Sequence, residues 1–270
     1  MASHISGNAD ENRAQLLPIL WLVTGLLLFP VTVAGWTWTL FAKAAAPWRA
    51  IGIAAIVVLV LVAVSGGKGY YAVGVVPPLM AAGAILLDRW LARGHRRLRA
   101  IGFAAAALIS GALITYLTVP ILPVATFATT SLPSQVPDSA EQIGWPQLVA
   151  TVGGVVAALP ADERTRAVIL TSNYGEAGAL ELLGSGLPPV YSGHNAFWDW
   201  GPPPADRTVV VHVGDWTAAD WSPFLTDCRT VASIDNGLGI ENQEQGQAIS
   251  VCTGLHASWT AIWPRLRQLS

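Results

Sequence analysis

The sequence predicts a membrane α-helical region of about four transmembrane helices, followed by an extracytoplasmic α/β domain with a mainly parallel sheet. Three observations lead there. Hydrophobic residues make up 53% of the 270-residue chain and charged residues only 12%, against about 25% charged in an ordinary soluble domain. The charge is also divided: residues 1–130 carry nine Lys/Arg and three Asp/Glu, residues 131–270 six and fourteen. Finally, long apolar runs fill the first half, whereas the second alternates β-branched runs with helical ones.

Crossing a bilayer core takes about 20 mostly apolar residues in a helix. Four runs meet or approach that length, near 16–35, 48–65, 70–87 and 101–119. The second, with IGIAAIVVLVLVAV, is free of polar residues. The third opens on Tyr70 and Tyr71 and carries Pro77-Pro78, which a membrane helix tolerates where neighbours satisfy the freed carbonyls. A soluble bundle with buried helices is the competing reading. A signal peptide at the first run is rejected: Asp10 and Glu11 precede it, and no small-residue cleavage site follows. The basic balance of this half belongs to membrane topology rather than to nucleic acid.

Orientation follows from the loops, because Lys and Arg stay on the cytoplasmic side. Arg89, Arg93, Arg96, Arg97 and Arg99 lie between the third and fourth runs, and Lys43 and Arg49 between the first and second. Arg13 and Lys68 fall on the opposite side. This places Met1, the GGKGYY turn and everything after about residue 125 outside the cytoplasm of a multi-pass cell-membrane protein.

The expected organisation is a helical region over 1–125, a Pro/Ser/Thr-rich connector over 126–143 and an α/β domain over 144–270. In the last, a helix is predicted at Trp145–Leu159, then a strand at Ala167–Ser172, a helical EAGALELLG and a short strand around Pro189–Tyr191. TVVVHVG (Thr208–Gly214) follows as a strand, DWTAADWSPFLTD as a helix, RTVASI and QAISVC as strands, and SWTAIWPRLRQL as a closing helix. Alternation of this kind suggests parallel strands covered on both faces. Cys228 and Cys252 are the only cysteines. Outside the cytoplasm they are expected to form a disulfide, the alternative being two buried thiols. No CxxC or paired-His spacing supports a metal site, and no cofactor is expected.

Three segments offer chemistry. Lys68, between glycines and beside Tyr70 and Tyr71, suits a lipid phosphate, since an ammonium is a mobile point charge with three donors. Its plain alternative is a snorkelling lysine at a membrane edge. NYGEAG (Asn173–Gly178) opens a helix after a strand, where α/β folds bind phosphates. It lacks G-x-G-x-x-G, however, and Glu176 puts negative charge where an anion would sit. A tight strand-to-helix turn is the expected role. In YSGHNAFWDWGPPP, His194, Asn195, Trp198, Asp199 and Trp200 form a possible glycan-binding loop, because aromatic faces and amides suit sugars. The alternative is tryptophans packed on the domain or at the membrane interface. No G-x-S-x-G hydrolase signature is present.

GGKGYYAVGVVPPLMAAGA resembles the Lys-x-x-Tyr…Pro-Pro-Leu segment of late transmembrane helices in polyprenyl-phosphate-dependent GT-C membrane glycosyltransferases, the group of the protein O-mannosyltransferases and aminoarabinose transferases. The run from GWPQLVATVGG through GLPPVYSGHNAFWDWGPP is similar to the C-terminal extracytoplasmic domain of bacterial members. The resemblance implies transfer of a sugar from a lipid-linked phosphate donor on the outer face of the membrane. It also makes Lys68, Tyr70 and Tyr71 candidates for contact with the donor phosphate. Family members have about ten or more membrane helices and place catalytic acids in their first extracytoplasmic loop. This chain offers about four helices and no convincing general base, so no catalytic residue is assigned. The expectation is a C-terminal portion of such an enzyme, inactive alone, with membrane lipid, a lipid-linked sugar donor and the missing N-terminal half as partners. The alternative is a membrane-anchored extracytoplasmic binding or accessory module without catalysis.

Overall fold

The computed structural model describes residues 2–269, without the side chains of residues 2–8, 11 and 218. Met1, which the loop charges assign to the outer side, and the Glu11 side chain lie outside the described residues. The chain divides into two compact units, Met1–Ile121 and Leu122–Ser270. Most of the predicted connector forms short helical turns at Val124–Ala128, Leu132–Gln135 and Pro137–Ala140 of the second unit.

The first unit contains α1 (Ala2–Val23), α2 (Phe29–Phe41), α3 (Arg49–Ser65), α4 (Val76–Leu91) and α5 (Arg96–Thr118). Single 3-10 stretches at Lys43–Trp48 and Gly69–Val75 lead into α3 and α4. The resulting helical lengths Lys43–Ser65, Gly69–Leu91 and Arg96–Thr118 are each 23 residues long and apolar enough to cross a membrane. The predicted span at 16–35 departs from expectation: α1 and α2 meet at 89°, so the described residues hold three such helices, or four if this bent pair is one span. The break has a local cause. Gly25 sits at φ 86, where an L side chain is strained, and Pro30 starts α2 in the first turn, where its missing N–H is harmless. Trp21 Nε1 donates to the Leu26 carbonyl at 3.0 Å and holds the corner.

Packing inside this unit runs through small residues. Gly35 of α2 lies against the Leu79 carbonyl and Gly83 of α4, and a Cβ on either glycine would overlap the facing backbone. Glycines at a helix contact let the two backbones approach this closely. Trp36 Nε1 donates to the Gly52 carbonyl at 3.0 Å and ties α2 to α3. Elsewhere the helices turn apolar side chains outward. Ile53, Ile56, Val57, Val60, Leu61 and Val64 form an exposed face along α3, and on α5 Ser110 is the one described residue that is buried.

The second unit is a five-stranded sheet with β1 (Ala167–Thr171), β2 (Val190–Ser192), β3 (Val209–Gly214), β4 (Leu225–Ser233) and β5 (Ala248–Leu255), in the order β2-β1-β3-β5-β4. It is mixed rather than mainly parallel. β1 runs parallel to β2 and β3, while β5 is antiparallel to both of its neighbours, β3 and β4. The reason is in the connections. A parallel return needs a crossover, usually a helix, and the polar segment 234–247 between β4 and β5 has none, so the chain returns directly as a hairpin. The expected helix over DWTAADWSPFLTD shrinks to one turn at Ala218–Trp221, and the closing helix to Trp259–Ile262 with a 3-10 turn.

Both faces of the sheet are covered, as the unbroken burial of β1 and β3 requires. On one face α6 (Trp145–Ala158) and α7 (Tyr174–Leu183) bring Leu148, Val152, Val156 and Leu180 against Ile169, Val211 and Ile249. On the other, Trp221, Phe224, Trp259, Ile262 and Trp263 cover Val168, Leu170, Val210 and Cys252. Cys228 and Cys252 face each other across β4 and β5 and form a disulfide, with Cα atoms 4.1 Å apart.

Candidate functional site

The β1–α7–β2 crossover covers one face of the sheet, and the segment from β2 to β3 covers the other through Trp198. The carboxyl ends of β1 and β3 therefore flank a point where the winding reverses, the place where open α/β sheets hold ligands. Ser172 leaves β1 there. Its amide donates to the Val213 carbonyl at 2.9 Å, and its Oγ accepts the Asp215 N–H at 3.1 Å. His212 of β3 places Nε2 3.3 Å from the same Oγ.

His212 is 1% exposed, and Nδ1 has no partner among the described residues. Burial pulls its imidazole down to about 3, against a small opposing effect of the Asp220 charge, so the ring is neutral. Trp221 lies 4.9 Å from the His212 ring and 4.8 Å from Trp216, centroid to centroid. Asp220 fixes this turn: its Oδ2 accepts from the Thr217 hydroxyl at 2.6 Å and the Thr217 N–H at 2.8 Å. Those bonds, the hydroxyl first, hold the Asp220 carboxyl below its usual range. A buried neutral imidazole without an acid on its second nitrogen is a poor general base. Ser172 and His212 thus lack the third group that a hydrolytic triad uses.

Behind Ser172, Asn173 caps α7. Its side chain accepts the Glu176 N–H at 2.9 Å, and Glu176 Oε2 accepts the Asn173 N–H at 3.1 Å, a reciprocal capping box. This is the strand-to-helix turn expected from the sequence, with Glu176 as its second half. Glu176 is fully buried, and desolvation drives its carboxyl up to about 8 despite the Asn173 hydrogen bond, with the charges of Glu244 and Asp215 adding to the rise. Asn173 Nδ2 also donates to Glu244 Oε1 at 3.3 Å. Burial, and then the charge of Glu141, raises Glu244 as well. Glu176 Oε1 and Glu244 Oε2 have no partner among the described residues.

The loop residues singled out from the sequence divide. Trp198 is a packing residue. Its Nε1 donates to the Trp263 carbonyl at 3.0 Å, Trp263 Nε1 returns a bond to the Trp198 carbonyl at 3.0 Å, and the Arg267 guanidinium covers its ring. His194 and Asn195 are half-buried beside the C-terminal segment, where the Asn195 N–H donates to the Gln268 carbonyl at 2.9 Å. The His194 ring lies 5.0 Å from that of Tyr174. Asp199 and Trp200 are exposed, and Trp200 stacks on Phe197 at 4.3 Å.

In the helical unit Lys68 is exposed in extended backbone just before the 3-10 stretch. Tyr70 and Tyr71 are exposed beside it, their rings edge to face at 4.8 Å. Arg13 and Asn12 come to the same end: Arg13 Nε donates to the Ala63 carbonyl at 2.9 Å, and Asn12 Nδ2 to the Gly66 carbonyl at 2.9 Å. Arg13 also pairs with Asp10 at 2.7 Å. Lys68 thus shares its neighbourhood with a second cation that the helix end already engages. Among the described residues no group of three or more His, Cys, Asp or Glu is arranged to hold a metal ion.

Sequence reasoning passed over Ser172, His212, Trp216, Trp221 and Glu244. The visible signal was the histidine inside the otherwise apolar strand TVVVHVG, a polar residue where burial on both faces calls for a partner. No protein-family profile, no curated protein and no solved structure matches this chain.

Proposed function

We propose that this is a multi-pass cell-membrane protein whose sheet unit stands on the extracytoplasmic side, and that it serves transfer of a sugar from a lipid-linked phosphate donor as the C-terminal portion of a GT-C-type glycosyltransferase. The observation that carries the membrane reading is the outward apolar face of α3 and the nearly unburied α5. A contiguous apolar face of this kind is one that soluble monomers rarely leave in water. The cross-strand disulfide of the second unit supports an oxidising compartment, and the arginines between α4 and α5 support a cytoplasmic turn. The transfer reading rests on the resemblance around Lys68, whose exposed ammonium beside two tyrosines suits a phosphate at the membrane surface. The alternative, a membrane-anchored binding module without catalysis, is favoured by the Ser172–His212–Trp221 crevice.

A binding assay separates the two. The 270-residue chain in nanodiscs is titrated with a polyprenyl phosphate carrying no protein acceptor. A hydrogen bond to a charged group is worth about 1.5–3 kcal/mol, so Lys68→Ala should weaken binding roughly ten- to a hundred-fold, and Lys68→Arg should weaken it less. Equal affinity in all three proteins makes Lys68 an interfacial anchor and removes the support for donor binding.

A further inference from the structure

The two edges of the sheet differ. β2 is three residues long, and the chain just beyond it is pinned where His194 bridges to Gln268. β4 is nine residues long and pairs on one side with β5. Thr226, Asp227, Arg229, Thr230 and Val231 are exposed along it, and the Cys228–Cys252 disulfide ties the strand to the sheet. An open edge of this length is a template on which another strand can add.

The register shows which backbone groups are free. In an antiparallel ladder, opposite residues alternate between hydrogen-bonded pairs, with Cα atoms about 5.5 Å apart, and non-hydrogen-bonded pairs, about 4.5 Å apart. Cys228 and Cys252 lie opposite each other with Cα atoms 4.1 Å apart, so theirs is a non-hydrogen-bonded pair. The N–H and C=O of Cys228 therefore point away from β5, towards the open edge. Two residues on, those of Thr230, opposite Ser250, do the same. Among the described residues, no backbone hydrogen bond outside the sheet engages either residue.

The side chains select the partner. Asp227 and Arg229 flank Cys228, and with Glu163 they line an open groove of about 400 Å³ along the strand. None of the three is in an ion pair among the described residues. A second β4, running antiparallel with its Cys228 opposite this one, meets the outward backbone groups as a hydrogen-bonded pair. Asp227 then faces the second copy's Arg229, and Arg229 the second copy's Asp227. Centring the pair on Asp227 or Arg229 instead would set like charges directly opposite, which is unfavourable. The irregularity between Thr230 and Ala232 ends the regular edge, so the pairing stops near Thr230. An unrelated extended chain gains the backbone bonds without this reciprocal charge match.

We infer that β4 is a dimerisation edge, at which two copies of this chain join their sheets by antiparallel β4–β4 pairing about Cys228. So short a contact lies at the small end of protein interfaces, and the dimer is weak and reversible. It rests on the sheet unit alone and not on the proposed sugar transfer.

The test follows the 270-residue chain in detergent by sedimentation equilibrium, up to the highest concentration that solubility allows. The parent should show a reversible monomer–dimer equilibrium. Asp227→Arg and Arg229→Asp each turn two attractive pairs into two repulsive ones, so each should raise the dimer Kd about tenfold or more. Mixed in equal amounts, the two variants present opposite charges to each other at both positions and should associate like the parent. Glu181→Arg, a reversal at an exposed position of α7, should leave association unchanged. Should either single variant melt early, the double variant Asp227→Arg/Arg229→Asp replaces the pair. It should associate with itself like the parent, but not with the parent. A parent that stays monomeric overturns the inference and makes the two charges a guard against strand pairing. Reversed variants that associate like the parent, or a mixture that fails to restore dimers, overturn it equally.

Discussion

Replacing Glu176 by Gln isolates one buried charge. Glu176 is 0% exposed and its carboxyl stands at about 8 rather than the usual 4.5. Between those values the folded protein holds a proton that the unfolded chain has released. Proton uptake is therefore greater in the folded state, and stability falls as pH rises through that window. At about 1.4 kcal/mol per tenfold change, the whole window is worth roughly 5 kcal/mol, and local relaxation and water entry reduce this to roughly 2–5 kcal/mol. Glutamine cannot ionise, yet its side-chain oxygen still accepts the Asn173 N–H, so the cap of α7 survives. Urea unfolding of residues 122–270, followed by tryptophan fluorescence at pH 4.5, 6, 7 and 8.5, measures the effect. The parent should lose most of that stability between pH 4.5 and 8.5. Glu176→Gln should lose far less and be the more stable of the two at pH 8.5. The remaining slope combines two opposed contributions: the raised carboxyl of Glu244 lowers stability as pH rises towards 7, whereas His212, neutral in the folded protein down to about 3, raises it up to the usual 6.5. Parallel curves for parent and variant would refute the assignment of a buried neutral carboxyl.

Three further outcomes are expected. Gly35→Val should lower the thermal stability of the detergent-solubilised chain by about 1–3 kcal/mol, because its side chain must push α4 away; Gly102→Ala, which faces open space, should not. Replacing both Cys228 and Cys252 by Ala should cost the second unit about 2–5 kcal/mol in urea unfolding, and detection of two free thiols in the oxidised parent would remove the basis for it. An impermeant thiol reagent applied to intact cells should label a cysteine introduced at Pro137 and miss one at Gly94; the reverse pattern would invert the proposed orientation.

Most helices and strands were legible because their signals are local. An uninterrupted apolar run gave α3, and β-branched runs gave β1 and β3. The cysteine pair was legible from compartment and spacing, and the pairing of β4 with β5 places the two residues opposite each other. The break between α1 and α2 was missed although its cue was present. Gly25 and Pro30 interrupt a window whose average hydropathy stays high, and averaging hides a bend. The return of β5 was missed because the lapse in strand–helix alternation at 234–247 is a negative signal, easily read as a loop before another crossover. The candidate site was the least legible part. His212, Ser172 and Trp221 lie far apart in sequence, and only the sheet register brings them together. Glu176 looked like an obstacle to an anion at a helix start. Its raised carboxyl comes first from burial that only the fold creates, with the charge of Glu244 adding to it, and Glu244 reaches Asn173 across the fold.

The slight burial of α5 bears on how it would stand in a bilayer. One tie from outside its own helix is a hydrogen bond from the Leu27 N–H to Ser110 Oγ, 3.2 Å long. With so little lateral packing, tilt and depth fall to the ends of the helix and to the thickness of the lipid. Its uncharged stretch, residues 100–118, is about 28 Å long at 1.5 Å per residue, slightly short of a core of about 30 Å. A stretch that is short rather than long gains nothing by leaning, so in a bilayer α5 would stand close to the normal. Arg96 and Arg97 can reach upward to the headgroups and make up the difference. Arg99 turns back instead. Its guanidinium lies over the Trp90 ring at 4.7 Å and donates to the Trp90 carbonyl at 2.6 Å, locking the turn between α4 and α5. In a bilayer that turn would act as the gauge of depth, and thicker or thinner membranes would move α5 against it rather than tip the helix.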